Sequence, residues 1–341
     1  MHHCGHSLFV RIPSIRRMDN ITHTLAGALL AECGLKQQSR LAYPALLIGA
    51  NLPDIDILSY VFGGGLNALS FRRGWTHGVL AMFVLPFMLG FLLMLWEGYR
   101  RRHTSAYVLA ERKRPSFGTL VGVSAVGIVS HPLLDLLNTY GVRLLMPFSD
   151  RWFYGDTAFI VDPWMLLILI LGIGFTRRGA RARPGYTFPA RAALVGLFMY
   201  LGTMAWISHS SLRTLASEAG LRGALTPRLL MVAPEPIRLT TRTGLVDTGL
   251  AYQAWRLTWR PWHTSAERLG TRIEKGNTDS RAVRASASVD GKRFLTWSRF
   301  PYFVSGVDGD SLVVHLGDGR YSTGVAPSWA TTRVRVGTAG Q

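Results

Sequence analysis

The chain has 341 residues, 48% of them hydrophobic, with 38 Lys and Arg against 20 Asp and Glu for a net charge of +18. A mean hydropathy of +0.18 excludes an ordinary soluble protein. The basic residues fall in short blocks between apolar runs, as in Arg100-Arg101-Arg102 and Arg112-Lys113-Arg114, which excludes a nucleic-acid-binding face; no nucleic acid partner is expected, and a membrane protein with basic loops remains.

Residues 1–17 read as a leader, either disordered or untranslated with Met18 as the start, and His2, His3 and His6 there carry no motif spacing. The only cysteines, Cys4 and Cys33, give no zinc pattern and no expected disulfide. From residue 18 to 208 the expected fold is mainly α. It is a polytopic helical membrane bundle of about six hydrophobic segments, near 22–35, 41–61, 77–97, 117–137, 163–175 and 191–208. Segments 36–40, 98–116 and 177–191 carry the Lys and Arg excess and are assigned to the cytoplasmic side, so the intervening loops 62–76 and 138–162 face outward. Gly63-Gly64-Gly65 reads as a flexible outer loop, because no Gly-Lys-Ser/Thr follows to make a phosphate loop. Residues 209–341 read as a small β-rich extramembrane domain on the outer side, with strands expected at Arg293–Trp297, Ser311–Leu316 and Thr332–Val336. Its 18 Lys and Arg against 10 Asp and Glu suit contact with anionic headgroups.

The chemistry lies at segment ends. His131-Pro-Leu-Leu-Asp135 sets an imidazole and a carboxylate one helical turn apart on one face, either as ligands of a shared metal or as a hydrogen-bonded pair. His23 opens the first segment, Asp54 and Asp56 end the second, His77 opens the third, and His131 and Asp135 end the fourth. The alternating topology inferred from loop charge brings all six to one outer level. Ionisable groups at that depth need partners, a cavity or a metal. Three His and three carboxylates without thiolate suit zinc, as one or two ions, or a mixed site with manganese. Two carboxylates two residues apart do not share a helix face, so Asp54 and Asp56 both ligate only if Pro53 breaks the helix there; otherwise one orients a ligating His. Asp162 is a seventh ligand candidate or the cap of the fifth segment. Arg73 either holds an anionic group or anchors the membrane edge, and Asn51 and Asn138 either hydrogen-bond water and substrate or satisfy helix ends. Such a site acidifies water and clamps ester or phosphoryl oxygens, which points to hydrolysis.

The motifs Asp19-Asn-Ile-Thr-His23, Asn51-Leu-Pro-Asp-Ile-Asp56, Arg73-Gly-Trp-Thr-His77 and His131-Pro-Leu-Leu-Asp135, with Asp162-Pro-Trp164 following, resemble the YdjM family of membrane-bound metal-dependent hydrolases over residues 18–165. Their order is also similar to that of the zinc phospholipase C and P1 nuclease superfamily, which cleaves phosphoesters. That likeness implies one ion on Asp54 or Asp56, His77, His131 and Asp135, with His23 and Asp135 contributing to a second. No further His pair follows the last motif, so a one- or two-metal version is implied. The expected function is therefore a metal-dependent hydrolase of phosphoesters in lipid or lipid-linked substrates, at an inner membrane with the site and C-terminal domain periplasmic. The alternatives are a non-enzymatic scaffold with a structural metal site, or a transporter. The sequence leaves the oligomeric state open.

Overall fold

The computed structural model describes residues 19–103, 114–220, 230–321 and 330–338. The expected leader, its histidines and Cys4, and part of the basic 98–116 loop lie outside them; Cys33 is a free thiol.

The helices are α1 (Asp19–Glu32), α2 (Ala42–Asn51), α3 (Ser59–Phe71), α4 (Val79–His103), α5 (Phe117–Leu136), α6 (Pro163–Ala182) and α7 (Phe188–Glu218). Two 3-10 segments, Leu35–Gln37 and Leu52–Leu58, flank α2. Among the described residues, four helices, α4 to α7, are long and apolar enough to cross a bilayer. The expected six segments are not reached. At 14 and 10 residues, α1 and α2 rise only about 21 and about 15 Å, short of the roughly 30 Å hydrocarbon core. The cause is local. Gly34, at φ 121°, turns the chain after α1, and Pro53 with two buried carboxylates converts the end of α2 into a 3-10 turn. Both short helices are internal instead. Helix α2 buries Ala42, Ala45, Leu46, Gly49 and Ala50 between α1 and α5. Glycines allow the close approach: a Cβ on Gly27 or on Gly127 would stand 2.8 Å from the Leu46 carbonyl oxygen. Helix α4 instead exposes Phe83, Phe87, Phe91 and Leu95 along one side, as a lipid-facing surface does.

The basic segments meet at one end of this bundle. Glu32 pairs with Lys36 and with Arg177 Nε at 3.0 Å, and Glu97 accepts from Arg40 Nε at 3.1 Å and Arg101 Nε at 2.8 Å. The His and Asp motifs lie at the opposite end, where α1 and α4 start and α2 and α5 finish.

Beyond α7 come a four-stranded antiparallel meander, β1 (Leu230–Pro234), β2 (Thr241–Asp247), β3 (Ala251–Arg260) and β4 (His263–Glu274), then α8 (Ser280–Ala287) and α9 (Val289–Trp297). A three-stranded meander, β5 (Pro301–Asp308), β6 (Ser311–Asp318) and β7 (Thr331–Thr338), completes the chain. The sheet region and the strands at 311–316 and 332–336 are as expected. Arg293–Trp297 is not a strand but the end of α9. Ser288 caps that helix by accepting from Gly291 N at 3.0 Å, and Phe294 and Trp297, three apart, bury on one helical face. Gly63-Gly64-Gly65 is likewise not a loop but part of α3. Leu66 and Leu69 of α3 pack into the core of α8, α9 and the second sheet.

The sheet region is tied to the helical end that carries the motifs. Trp152 Nε1 donates to Thr296 O at 2.8 Å, and Arg299 Nη1 donates to Asp156 Oδ2 at 2.8 Å. Arg320 Nη1 donates to Thr139 O at 2.8 Å and Tyr140 O at 3.2 Å. Arg320 is fully buried and ion-paired with Asp318 at 2.9 Å. Burial by itself would raise the Asp318 carboxyl, but Arg320 and the hydrogen bonds from Arg320 and Ser298 hold it below the usual carboxylate range.

Candidate metal centre

His23 sits in the first turns of α1, Asp54 and Asp56 in the 3-10 turn after α2, His77 one turn before α4, and His131 and Asp135 in the last turns of α5. All six are buried, His77 and His131 completely. The close crossing of α2 and α5 places the first constraint. His131 Nδ1 lies 2.6 Å from the carbonyl oxygen of Ala50, one of the acceptors left open at the end of α2. As the donor there, Nδ1 leaves Nε2 as the lone-pair nitrogen. Nε2 is 3.7 Å from Asp54 Oδ1 and 3.7 Å from Asp135 Oδ2.

Around it, His77 Nε2 stands 3.3 Å from Asp135 Oδ2 and 3.9 Å from Asp54 Oδ1. His23 Nε2 is 3.5 Å from Asp135 Oδ1, and its ring stacks on His131 with centroids 3.7 Å apart. The buried Nε2 atoms of His77 and His131 make no hydrogen bond. An unmade bond on a buried polar atom costs about 1–3 kcal/mol, and a metal ion would remove that cost. The donor atoms form two groups, His23–His131–Asp135 and Asp54–His77–His131, each with all its ligand atoms within 4.8 Å of one another. The groups share His131, whose second nitrogen is taken by Ala50. Two ions therefore cannot each use His131; a second ion would have to lean on Asp135 as a bridge. Arg72 pairs with Asp54 and Asp56, and Arg73 pairs with Asp135.

The carboxylate pair divides, although Pro53 ends the α-helix and leaves a 3-10 turn here. Asp54 points at the histidines. Asp56 accepts from Arg73 N at 2.8 Å, Thr76 Oγ1 at 3.2 Å and Arg72 Nε at 3.3 Å, and lies outside both donor groups. It fixes the turn that carries His77, whose Nδ1 contacts Thr76 Oγ1 at 3.0 Å. Arg73, at φ 53°, takes the left-handed conformation that turns its side chain inward. Its Nη2 is 2.9 Å from Asp135 Oδ1, its Nη1 donates to Asn138 Oδ1 at 3.0 Å, and its guanidinium lies 4.6 Å from the Tyr140 ring centre.

Three expected residues stand outside both donor groups. Asp162 is not beside the ligands: it caps α6, accepting from Trp164 N and Met165 N at 3.0 Å, while its other oxygen accepts from Tyr200 at 2.8 Å. Asn51 is not aimed at the site; its Nδ2 donates to Leu47 O at 2.8 Å and to Thr24 Oγ1 at 3.0 Å. Asn138 accepts from Arg73 Nη1 and from Tyr140 N at 2.9 Å, and lines the small cavity beside His23. Sequence reasoning missed Arg72, Thr76 and Tyr140. The first two flank motif residues already singled out, whereas nothing in the sequence marks Tyr140. Burial opposes the charge on Arg72, but Asp56, Tyr140 and Asp54 raise its pKa and keep it protonated. Burial pushes the Tyr140 phenol up.

The chain matches the family described as YdjM inner membrane protein over residues 18–211, which covers every motif above and stops before the sheets. It is 29% identical over 140 residues to the inner membrane protein YbcI of Escherichia coli (strain K12), across 39% of this chain and 68% of YbcI. It is 26% identical over 181 residues to the uncharacterized protein YfhP of Bacillus subtilis (strain 168), across half of this chain and only 49% of YfhP. No solved structure matches it. With four membrane-crossing helices and a match over more than half its length, the chain is a multi-pass membrane protein belonging to the YdjM inner membrane protein family.

Proposed function

We propose that this protein is a metal-dependent hydrolase of phosphoesters in lipid or lipid-linked substrates, with its site and sheet region on the periplasmic side. One observation carries the reading. Five donors from four separate segments converge into a buried group in which two imidazole nitrogens have no hydrogen bond. The side assignment rests on the basic segments that meet at the other end of the bundle.

His77, His131, Asp54, Asp135 and His23 are the residues that would hold a divalent ion, zinc by donor type, with manganese the harder alternative. When bound, such an ion supplies Lewis acidity and lowers the pKa of water at the site. Asp56, Thr76 and Ala50 O set the orientation of His77 and His131. Arg73 neutralises Asp135 and is poised beside it to receive an anionic ester oxygen, with Asn138 and Tyr140 holding its guanidinium in plane. The outer-end position suits a substrate presented at lipid headgroup level. The test is hydrolysis of phospholipids and a generic phosphodiester by zinc- or manganese-loaded protein in vesicles. Turnover lost in Arg73→Gln with metal retained supports the reading; no turnover on any phosphoester overturns it.

A second reading is a scaffold with a structural metal, and the closure of the site favours it. The cavity beside His23 holds about 10 Å³, room for one water. Inhibition of metal exchange, with no anion binding under any condition, would select the scaffold.

A further inference from the structure

We propose that the β3–β4 hairpin tip is a membrane anchor, embedding Trp262 in the headgroup layer of the same bilayer that α6 and α7 cross. The level of the bilayer surface is given by two tryptophans on those helices. Trp164, 38% exposed, opens α6, and Trp206, 69% exposed, lies on the antiparallel α7 one to two turns beyond Tyr200, whose hydroxyl bonds Asp162. Exposed tryptophans at the ends of apolar helices mark the interface between hydrocarbon and water.

Helix α7 does not stop at that level. Its 31 residues span about 46 Å, and its last turns enter the first sheet, where Leu215 and Ala216 pack with Val246 and Leu257. The strands climb α7 in register. Ala266 of β4 packs beside Leu212, and two residues earlier Thr264 Oγ1 contacts Ser210 Oγ at 3.1 Å. Followed backward, β4 therefore descends toward Trp206 and ends at His263. Strand β2 descends likewise. Arg242 donates to Ser208 Oγ at 3.1 Å, and Ile237 below it receives a hydrogen bond from Trp164 Nε1 at 3.3 Å on its carbonyl. Trp259 N bonds Thr240 O at 2.8 Å, tying the two descending ends together.

At this lower rim the sheet shows what a soluble edge avoids. Trp262 is fully exposed at the tip, held at φ 70°, and Ile237 is 69% exposed beside Trp164. Arg238 and Arg260 are exposed around them. Aromatic and aliphatic tips ringed by arginine fit one partner, the surface of an anionic bilayer, where the ring enters the acyl boundary and guanidiniums meet phosphates. The packing of the sheet on α7 and the Trp164–Ile237 bond fix the rim at that depth.

The test uses the full chain with Cys4→Ser and Cys33→Ser, a single cysteine in place of Trp262, Leu250 or Trp206, and an environment-sensitive fluorophore on it. Leu250 lies at the other end of β3 and is also exposed, at 64%, roughly 30 Å from the tip by strand rise. The protein is placed in phosphatidylglycerol–phosphatidylethanolamine vesicles with or without headgroup-proximal nitroxide lipid. The expected result is blue-shifted emission with at least twofold quenching at 262 and 206, and watery, unquenched emission at 250. Watery emission at 262 overturns the proposal, as does equal quenching at 262 and 250. Trp262 is solvent-facing, so its replacement leaves the fold intact.

Discussion

Arg320→Met is expected to loosen the sheet region from the helical end and to disturb the metal centre beyond it. The side chain is fully buried with Asp318, so removing it strands an unpaired carboxylate in the interior. Breaking one half of a buried pair costs about 3–5 kcal/mol. The carbonyls of Thr139, Tyr140 and Trp297 also lose a donor. Against a total stability of roughly 5–15 kcal/mol, that shift is large. The double variant Asp318→Asn with Arg320→Met removes both charges and should recover at least about 2 kcal/mol of the loss. The assay is denaturant unfolding in mild detergent followed by tryptophan fluorescence, with limited proteolysis as a second readout. The effect also has a route to the site, because Tyr140, held by Arg320, faces Arg73, and Arg73 pairs with Asp135. Metal affinity should therefore fall in the single variant. A cost below about 1 kcal/mol, or a double variant no better than the single, would refute the reasoning.

Acidification should act at the same place. The Asp318 carboxyl titrates below its ordinary value, so its contribution is complete above about pH 4 and is lost as pH falls further through the folded-state value; near-ultraviolet dichroism should show this loss, flattened in Asp318→Asn. Gly127→Val should push α2 away from α5, since a Cβ there meets Leu46 O at 2.8 Å and Ala50 N at 3.2 Å. A cost of about 1–3 kcal/mol and a reduced metal content at unchanged helicity are expected. Asp162→Ala should cost about 1–2 kcal/mol as a lost cap and lost Tyr200 partner, with metal content unchanged; metal loss there would return Asp162 to the ligand set.

The helical end of the site was legible because its constraints are local and periodic. His131 and Asp135 share a face by spacing alone, and loop charge was enough to bring them to the level of His23, Asp54 and His77. Helix lengths were less legible. Hydropathy runs through Pro53, but backbone geometry does not, so α2 read as a span and is a short internal helix. Sequence left open whether Asp54 and Asp56 both ligate or divide the work; which of the two faces the histidines is decided by Arg73 N and Thr76, partners only the fold supplies. Asp162 and Asn51 illustrate the ambiguity of polar residues at helix ends, where capping and ligation favour the same side chains. The amphipathic alternation of Arg293–Trp297 was too short to separate strand from helix, and the Ser288 cap resolved it. The contact between Arg320 and the 139–140 backbone spans about 180 residues of sequence and leaves no local trace.

The central claim is that these His and Asp residues bind metal, and elemental analysis tests it most directly. Protein started at Met18 and purified in mild detergent would be compared with His131→Ala and Asp135→Ala. One zinc or manganese ion per chain is expected, or two with Asp135 as the bridge, lost in both variants while helical content persists. No bound metal after reconstitution, or equal metal in all three proteins, would contradict the account.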